Sequence, residues 1–135
     1  MMAMQFTDLC LISNDVLRLV AFYEAVFGVT VDEHGVNGAK HSDIHSSINI
    51  GGLYLTIDSV KIADSSMFNY VSAKSSDNTL LCFNVDDVDA EYKRLLSLGA
   101  QMLNEPTTHP WGARSFQFKD PDGNILNFRT IPKEG

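Results

Sequence analysis

At 135 residues, with 44% hydrophobic and 20% charged side chains, the chain is long enough to bury a proper core and too apolar to be disordered. Seventeen acidic against ten basic residues give a formal charge of −7, which offers no basic footprint for phosphates and argues against nucleic acid and anionic membrane surfaces as partners. The start of the chain lacks the charged and apolar regions of a secretory leader, and no apolar run approaches the roughly 20 residues that span a bilayer, so a cytoplasmic location is expected.

Taken in order, Phe6 to Ile12 reads as a buried strand. Ser13-Asn14-Asp15 supplies an N-cap, and Val16, Leu19, Val20, Tyr23, Val26 and Phe27 recur at helical spacing up to Gly28, which suits a left-handed C-terminal cap. Val29 to Glu33 starts a strand, and His34 to Ser47 reads as a Gly-, Ser- and His-rich loop. Ser47 to Ile50 and Leu53 to Ile57 flank Gly51-Gly52, the signature of a hairpin with a two-residue turn. Val60 to Asn78 shows little periodicity and reads as a connector in which Met67, Phe68, Tyr70 and Val71 are apolar enough to be anchored.

The pattern then starts again. Leu80 to Val85 is a strand, Asp86 and Asp87 cap a helix that runs through Leu98 with Val88, Tyr92, Leu95 and Leu96 on one face, and Gly99 ends it. Ala100 to Leu103 is a strand and Asn104 to Gly112 a loop. Ala113 to Lys119 and Asn124 to Thr130 form a hairpin about Asp120-Pro121-Asp122-Gly123, where proline presets φ and glycine tolerates a positive φ. Leu9-Cys10-Leu11 corresponds to Leu81-Cys82-Phe83, Asp15-Val16 to Asp87-Val88, Gly28 to Gly99 and Gly52 to Gly123. A repeat of this length is a duplicated β-α-β-β-β unit rather than a solenoid period. One α+β domain follows, with module 1 at about 5–58, a connector at 59–78 and module 2 at about 79–131. Cys10 and Cys82 sit in apolar strand-like runs and read as reduced core thiols.

The paired unit, the helix from Asp15-Val16 through Phe22-Tyr23 to Phe27-Gly28, and the closing Trp111-Gly112 and Asp120-Pro121-Asp122-Gly123-Asn124 resemble the vicinal oxygen chelate superfamily, which holds glyoxalases, bleomycin-resistance proteins and extradiol dioxygenases. The resemblance implies two modules whose curled mixed sheets form a cleft, commonly in a homodimer. Its metal enzymes place one ligand on the first and last strand of each unit, which here implies Asp8, Thr56, Leu80 and Asn127. A divalent transition metal needs several imidazole, thiolate or carboxylate donors, and only Asp8 qualifies; slipping the register to Tyr54 adds none. No metal and no cofactor are expected.

Strand parity places Phe6, Asp8, Tyr54, Thr56, Ile125, Asn127 and Arg129 on the side of those positions. Trp111, bracketed by Pro110 and Gly112, is suited to stacking on a planar or cationic ligand. The expected ligand-binding residues are therefore Phe6, Asp8, Tyr54, Thr56, Trp111, Asn127 and Arg129. Asp8 is the one candidate catalytic group, as a general base; its bland alternative is a carboxylate that accepts hydrogen bonds or pairs with Arg129 or Arg114. His34, His41, His45 and His109 read as loop residues without a metal role, His109 lying near the cleft rim. The expectation is a metal-free, dimeric protein that sequesters a small organic molecule, such as a drug or metabolite. The alternative is a lyase, isomerase or dioxygenase of the superfamily that uses displaced metal ligands or Asp8 as base.

Overall fold

The computed structural model describes residues 4–34, 40–67 and 78–130. The chain divides into two compact units, Met1–Ala73 and Lys74–Gly135.

In the first unit β1 (Asp8–Ser13) leads into α1 (Val16–Phe27), followed by β2 (His45–Ile50), β3 (Leu53–Ser59) and α2 (Val60–Met67). The three strands form one sheet in the order β1-β3-β2, with β1 parallel and β2 antiparallel to β3. Local chemistry fixes the helix ends. The carboxylate of Asp15 accepts from the backbone N–H of Arg18 at 3.1 Å, and Gly28 closes the helix at φ +64° with its N–H on the Glu24 carbonyl. Val16, Leu19, Val20, Tyr23 and Val26 are buried, the stripe expected from their spacing, and α1 covers the sheet face that carries Ile48, Leu55 and Ile57. The β2–β3 turn puts both Gly51 and Gly52 at positive φ, the condition of the tight turn read from the sequence.

The second unit repeats this plan with β4 (Leu80–Asn84), α3 (Val88–Ser97), β5 (Gln101–Met102), β6 (Thr107–Thr108), β7 (Arg114–Lys119) and β8 (Ile125–Thr130). Its sheet has the order β4-β8-β7-β5, with β6 also on β7, and β4 parallel to β8 as β1 is to β3. Asp87 caps α3 through the N–H of Ala90 at 3.0 Å. The core is aromatic. Phe116, Phe118 and Phe128 are mutually packed with centroids 4.9–5.8 Å apart, and Tyr92 meets Phe116 edge-on at 5.3 Å. Asp120, only 3% exposed, organises the β7–β8 turn: its Oδ1 accepts the N–H groups of Asp122 and Asn124 at 2.9 Å and its Oδ2 the Asn124 side-chain amide at 2.8 Å.

Several expectations need correction. Val29–Glu33 forms no strand among the described residues, only an isolated bridge between Asp32 and Ser47, and β2 begins at His45, inside the expected loop. Residues 60–67 of the expected connector form α2, while Phe68, Tyr70 and Val71 and the side chain of Met67 lie outside the described residues. Strand β1 starts at Asp8, leaving Phe6 ahead of it and 74% exposed. Leu96 is 49% exposed instead of joining the buried face of α3. Both cysteines are exposed, since Leu9 and Leu11, and Leu81 and Phe83, take the core parity of their strands. Among the described residues no helix is long and apolar enough to cross a membrane.

Candidate functional site

Residues opposite one another in a ladder share a face of the sheet, so the registers define what each sheet presents away from its helix. In the first unit Asp8 pairs with Tyr54, Cys10 with Thr56, Ile12 with Asp58, Ser47 with Thr56 and His45 with Asp58. That face is polar apart from Ile12. Thr56, 3% exposed, donates its hydroxyl to Asp8 Oδ2 at 2.9 Å, and Thr7 donates to Asp8 Oδ1 at 2.7 Å. Tyr54 donates to Asp32 Oδ2 at 3.1 Å. The ring Nδ1 of His45 bonds Asp58 Oδ1.

The corresponding face of the second unit carries Cys82, Asn127, Gln117, Ser115 and Arg129, again by register. A chain of amides runs across it: Asn104 donates to Gln117 at 2.6 Å, Gln117 to Asn127 at 2.7 Å, and Asn127 to the Cys82 sulfur at 3.5 Å. His109 Nε2 bonds the Ser115 hydroxyl at 2.9 Å. Trp111 lies flat on the His109 ring, with centroids 4.6 Å apart and planes within 6°, yet remains 71% exposed.

The structure therefore brings Asp8, Tyr54 and Thr56 together on one face of the first unit, and Asn127 and Arg129 on one face of the second, with Trp111 linked to the latter through His109 and Ser115. Phe6 lies ahead of β1. The guanidinium of Arg114 forks onto Asp89 at 2.8 and 2.9 Å and holds that carboxyl below its usual range. Sequence reasoning missed the His45–Asp58 pair, Gln117, Asn104 and the role of both cysteines. A signal for the first was present: the two-residue turn at Gly51-Gly52 fixes every pair of the β2–β3 hairpin, and counting outward from it sets His45 opposite Asp58.

The Cys10 thiol is pushed up from its ordinary 9.0, chiefly by partial loss of solvent, with Asp58 and Asp8 adding to the rise and Thr56 opposing it. Because the folded state holds this proton more tightly, a smaller fraction of Cys10 is thiolate near pH 9 in the folded chain than in the unfolded one. With Cys82 replaced by serine, iodoacetamide should label Cys10 more slowly in the folded chain at pH 8.5 than in the same chain in urea. Equal or faster labelling of the folded chain would contradict the assignment.

The side chains at the superfamily's four metal positions do not suit a metal ion. Asp8 already accepts from two hydroxyls, Thr56 and Asn127 are neutral, and Leu80 has no donor atom. Among the described residues no three His, Cys, Asp or Glu side chains are grouped so as to hold a metal.

Residues 5–128 match the family model described as the Glyoxalase/Bleomycin resistance protein/Dioxygenase superfamily. The chain is 27% identical over 126 residues to the uncharacterized protein YraH of Bacillus subtilis (strain 168), covering 91% of this chain and 95% of that one. It is 26% identical over 117 residues to the metallothiol transferase FosB of Lysinibacillus sphaericus (strain C3-41), covering 87% and 75% respectively. Among solved structures, a glyoxalase/bleomycin resistance protein/dioxygenase from Nocardioides shares the fold, with a TM-score of 0.79 at 20% identity over 100% of this chain and 88% of that one. With its duplicated units, its Asp120-centred turn and a match over nearly its whole length, the chain belongs to the Glyoxalase/Bleomycin resistance protein/Dioxygenase superfamily.

Proposed function

We propose that the protein binds a small organic molecule, planar and aromatic or cationic, without a metal, and that it acts by sequestration. Trp111 carries this reading. It is 71% exposed but held flat against His109, which Ser115 in turn anchors. A large aromatic already fixed in place offers a stacking surface with little freedom left to lose on binding. The formal charge of −7 favours a cationic ligand. The metal-dependent transfer that the name of FosB implies finds no matching donor set at Asp8, Thr56, Leu80 and Asn127.

Trp111 is the single tryptophan, so its fluorescence reports binding directly. Titration with bleomycin and a set of planar aromatic cations should give saturable quenching by at least one of them. Trp111→Ala, followed by calorimetry, should weaken the same ligand about tenfold or more, the loss of ~1.4 kcal/mol of stacking. A ligand bound equally well by wild type and Trp111→Ala would remove this reading.

A second reading, a metal-free lyase with Asp8 as base, is favoured by the position of Asp8 on a polar face, where two hydroxyls fix its carboxylate. Turnover of any ligand found, lost in Asp8→Asn with unchanged affinity, would support it; indifference to the change would exclude it.

A further inference from the structure

Beyond Asp8 and Trp111, the polar face of the first unit holds a second arrangement with chemical capacity. His45 and Asp58 stand directly opposite on β2 and β3, and the carboxylate Oδ1 takes the ring Nδ1. Their side chains are 15% and 22% exposed. Asp58 faces the same side as Thr56 and Asp8, two strand residues apart from Thr56. The other ring nitrogen, Nε2, is buried and has no hydrogen-bond partner among the described residues. A buried polar atom left unpaired is costly, so its retention requires an explanation.

The pair is not demanded by the fold of the unit. In the duplicated unit the hairpin positions equivalent to His45 and Asp58, each two residues from the equivalents of Ser47 and Thr56, carry Ser115 and Arg129, which are paired in the same register. A neutral polar residue and a cation therefore serve there, and the imidazole–carboxylate pair is a property of the first unit's face.

The chemistry follows from the tautomer. A carboxylate on Nδ1 holds the ring with Nδ1–H toward Asp58, which leaves the lone pair on Nε2. We propose that His45, oriented by Asp58, is the proton-accepting group of a ligand site on this face, and that the ligand it takes carries an acidic hydroxyl of the phenol or enol class. The hydroxyl donates to Nε2, which supplies the partner that the buried nitrogen lacks. Asp58 is a positioning residue, because it acts through the imidazole. This inference rests on the reading that the protein binds a small planar organic molecule; it names the hydroxyl that such a molecule presents.

The test uses the full chain labelled with ¹⁵N-histidine, titrated with phenol and separately with its methyl ether, anisole, at millimolar concentrations. The His45 resonances are identified by their loss in His45→Gln. Before addition, His45 should show the Nδ1–H tautomer with an unprotonated Nε2. Phenol should move the Nε2 resonance in the hydrogen-bonded direction, and anisole, which cannot donate, should not. Asp58→Asn should abolish the tautomer preference and reduce the phenol-induced displacement severalfold; because it removes only a charge at a strand position, its fold is checked by its amide spectrum. If that variant does not fold, the wild-type tautomer and the phenol–anisole contrast decide alone. An Nε2–H tautomer, or equal responses to phenol and anisole, would overturn the assignment of His45. If Trp111 fluorescence reports a bound planar ligand while phenol leaves Nε2 unmoved, the inference fails and the proposed function stands. If neither probe responds to any compound, both fail.

Discussion

Phe116→Ala is expected to destabilise the second unit by about 3–5 kcal/mol, the range for removing a fully buried aromatic from a packed core. Phe116 is 0% exposed and touches three rings, those of Tyr92, Phe118 and Phe128. It therefore joins α3 to β7 and β8 at once, and the surrounding rings, packed edge-on or tilted against one another, have little room to collapse into the void. Urea denaturation followed by Trp111 fluorescence reads this unit, since the only tryptophan lies in it. A loss under about 1.5 kcal/mol would mean that the aromatic cluster is not the core of the unit, whereas Phe116→Leu should recover much of the stability by keeping volume.

The second large effect is expected at Asp120. Its carboxylate receives three N–H groups in a buried turn, and Asp120→Ala would strand them together. Hydrogen bonds to a charged acceptor contribute about 1.5–3 kcal/mol, and a buried donor left unpaired costs a comparable amount, so a loss of about 2–4 kcal/mol is expected. Asp120→Asn separates the causes. It keeps an oxygen for the two backbone groups but sets one amide against another at Asn124, so its cost should be roughly half that of the alanine variant. Equal costs would show that the charge, and not the pair of backbone bonds, holds the turn.

The sequence was most informative where local chemistry and long-range packing agree. In α1 the Asp15 cap, the buried stripe from Val16 to Val26 and the Gly28 terminus each act within a few residues of themselves, and all were legible. The Asp120 turn was read correctly as a turn, but its cause was misplaced: Pro121 and Gly123 permit the bend, while the buried Asp120 carboxylate holds it. Helix α2 was hidden because its Ser- and Lys-containing stretch lacks a wide apolar stripe; Ala63 alone among its described side chains is buried.

The cysteine errors at the candidate site came from the assignment of faces. Cys10 and Cys82 were assigned to the core because their neighbours are apolar, but a strand buries alternate residues, and Leu9, Leu11, Leu81 and Phe83 already fill that side. The same parity placed Asp8, Tyr54 and Thr56 correctly on one face. His45 was assigned to a loop because the start of β2 is rich in serine and histidine, residues with weak strand preference that the ladder with β3 overrides. The amide chain from Asn104 to Cys82 joins four separated segments and leaves no signal in any one of them.

The metal-free part of the proposal rests on what occupies the positions Asp8, Thr56, Leu80 and Asn127, and calorimetric titration of the purified chain with Zn²⁺, Mn²⁺, Ni²⁺ and Fe²⁺ tests it most directly. With a single carboxylate at Asp8, already engaged by Thr7 and Thr56, heats should be weak and non-saturable at micromolar metal, and Asp8→Asn should leave them unchanged. Saturable one-to-one binding of any of these ions with a submicromolar Kd, abolished by Asp8→Asn, would contradict the account.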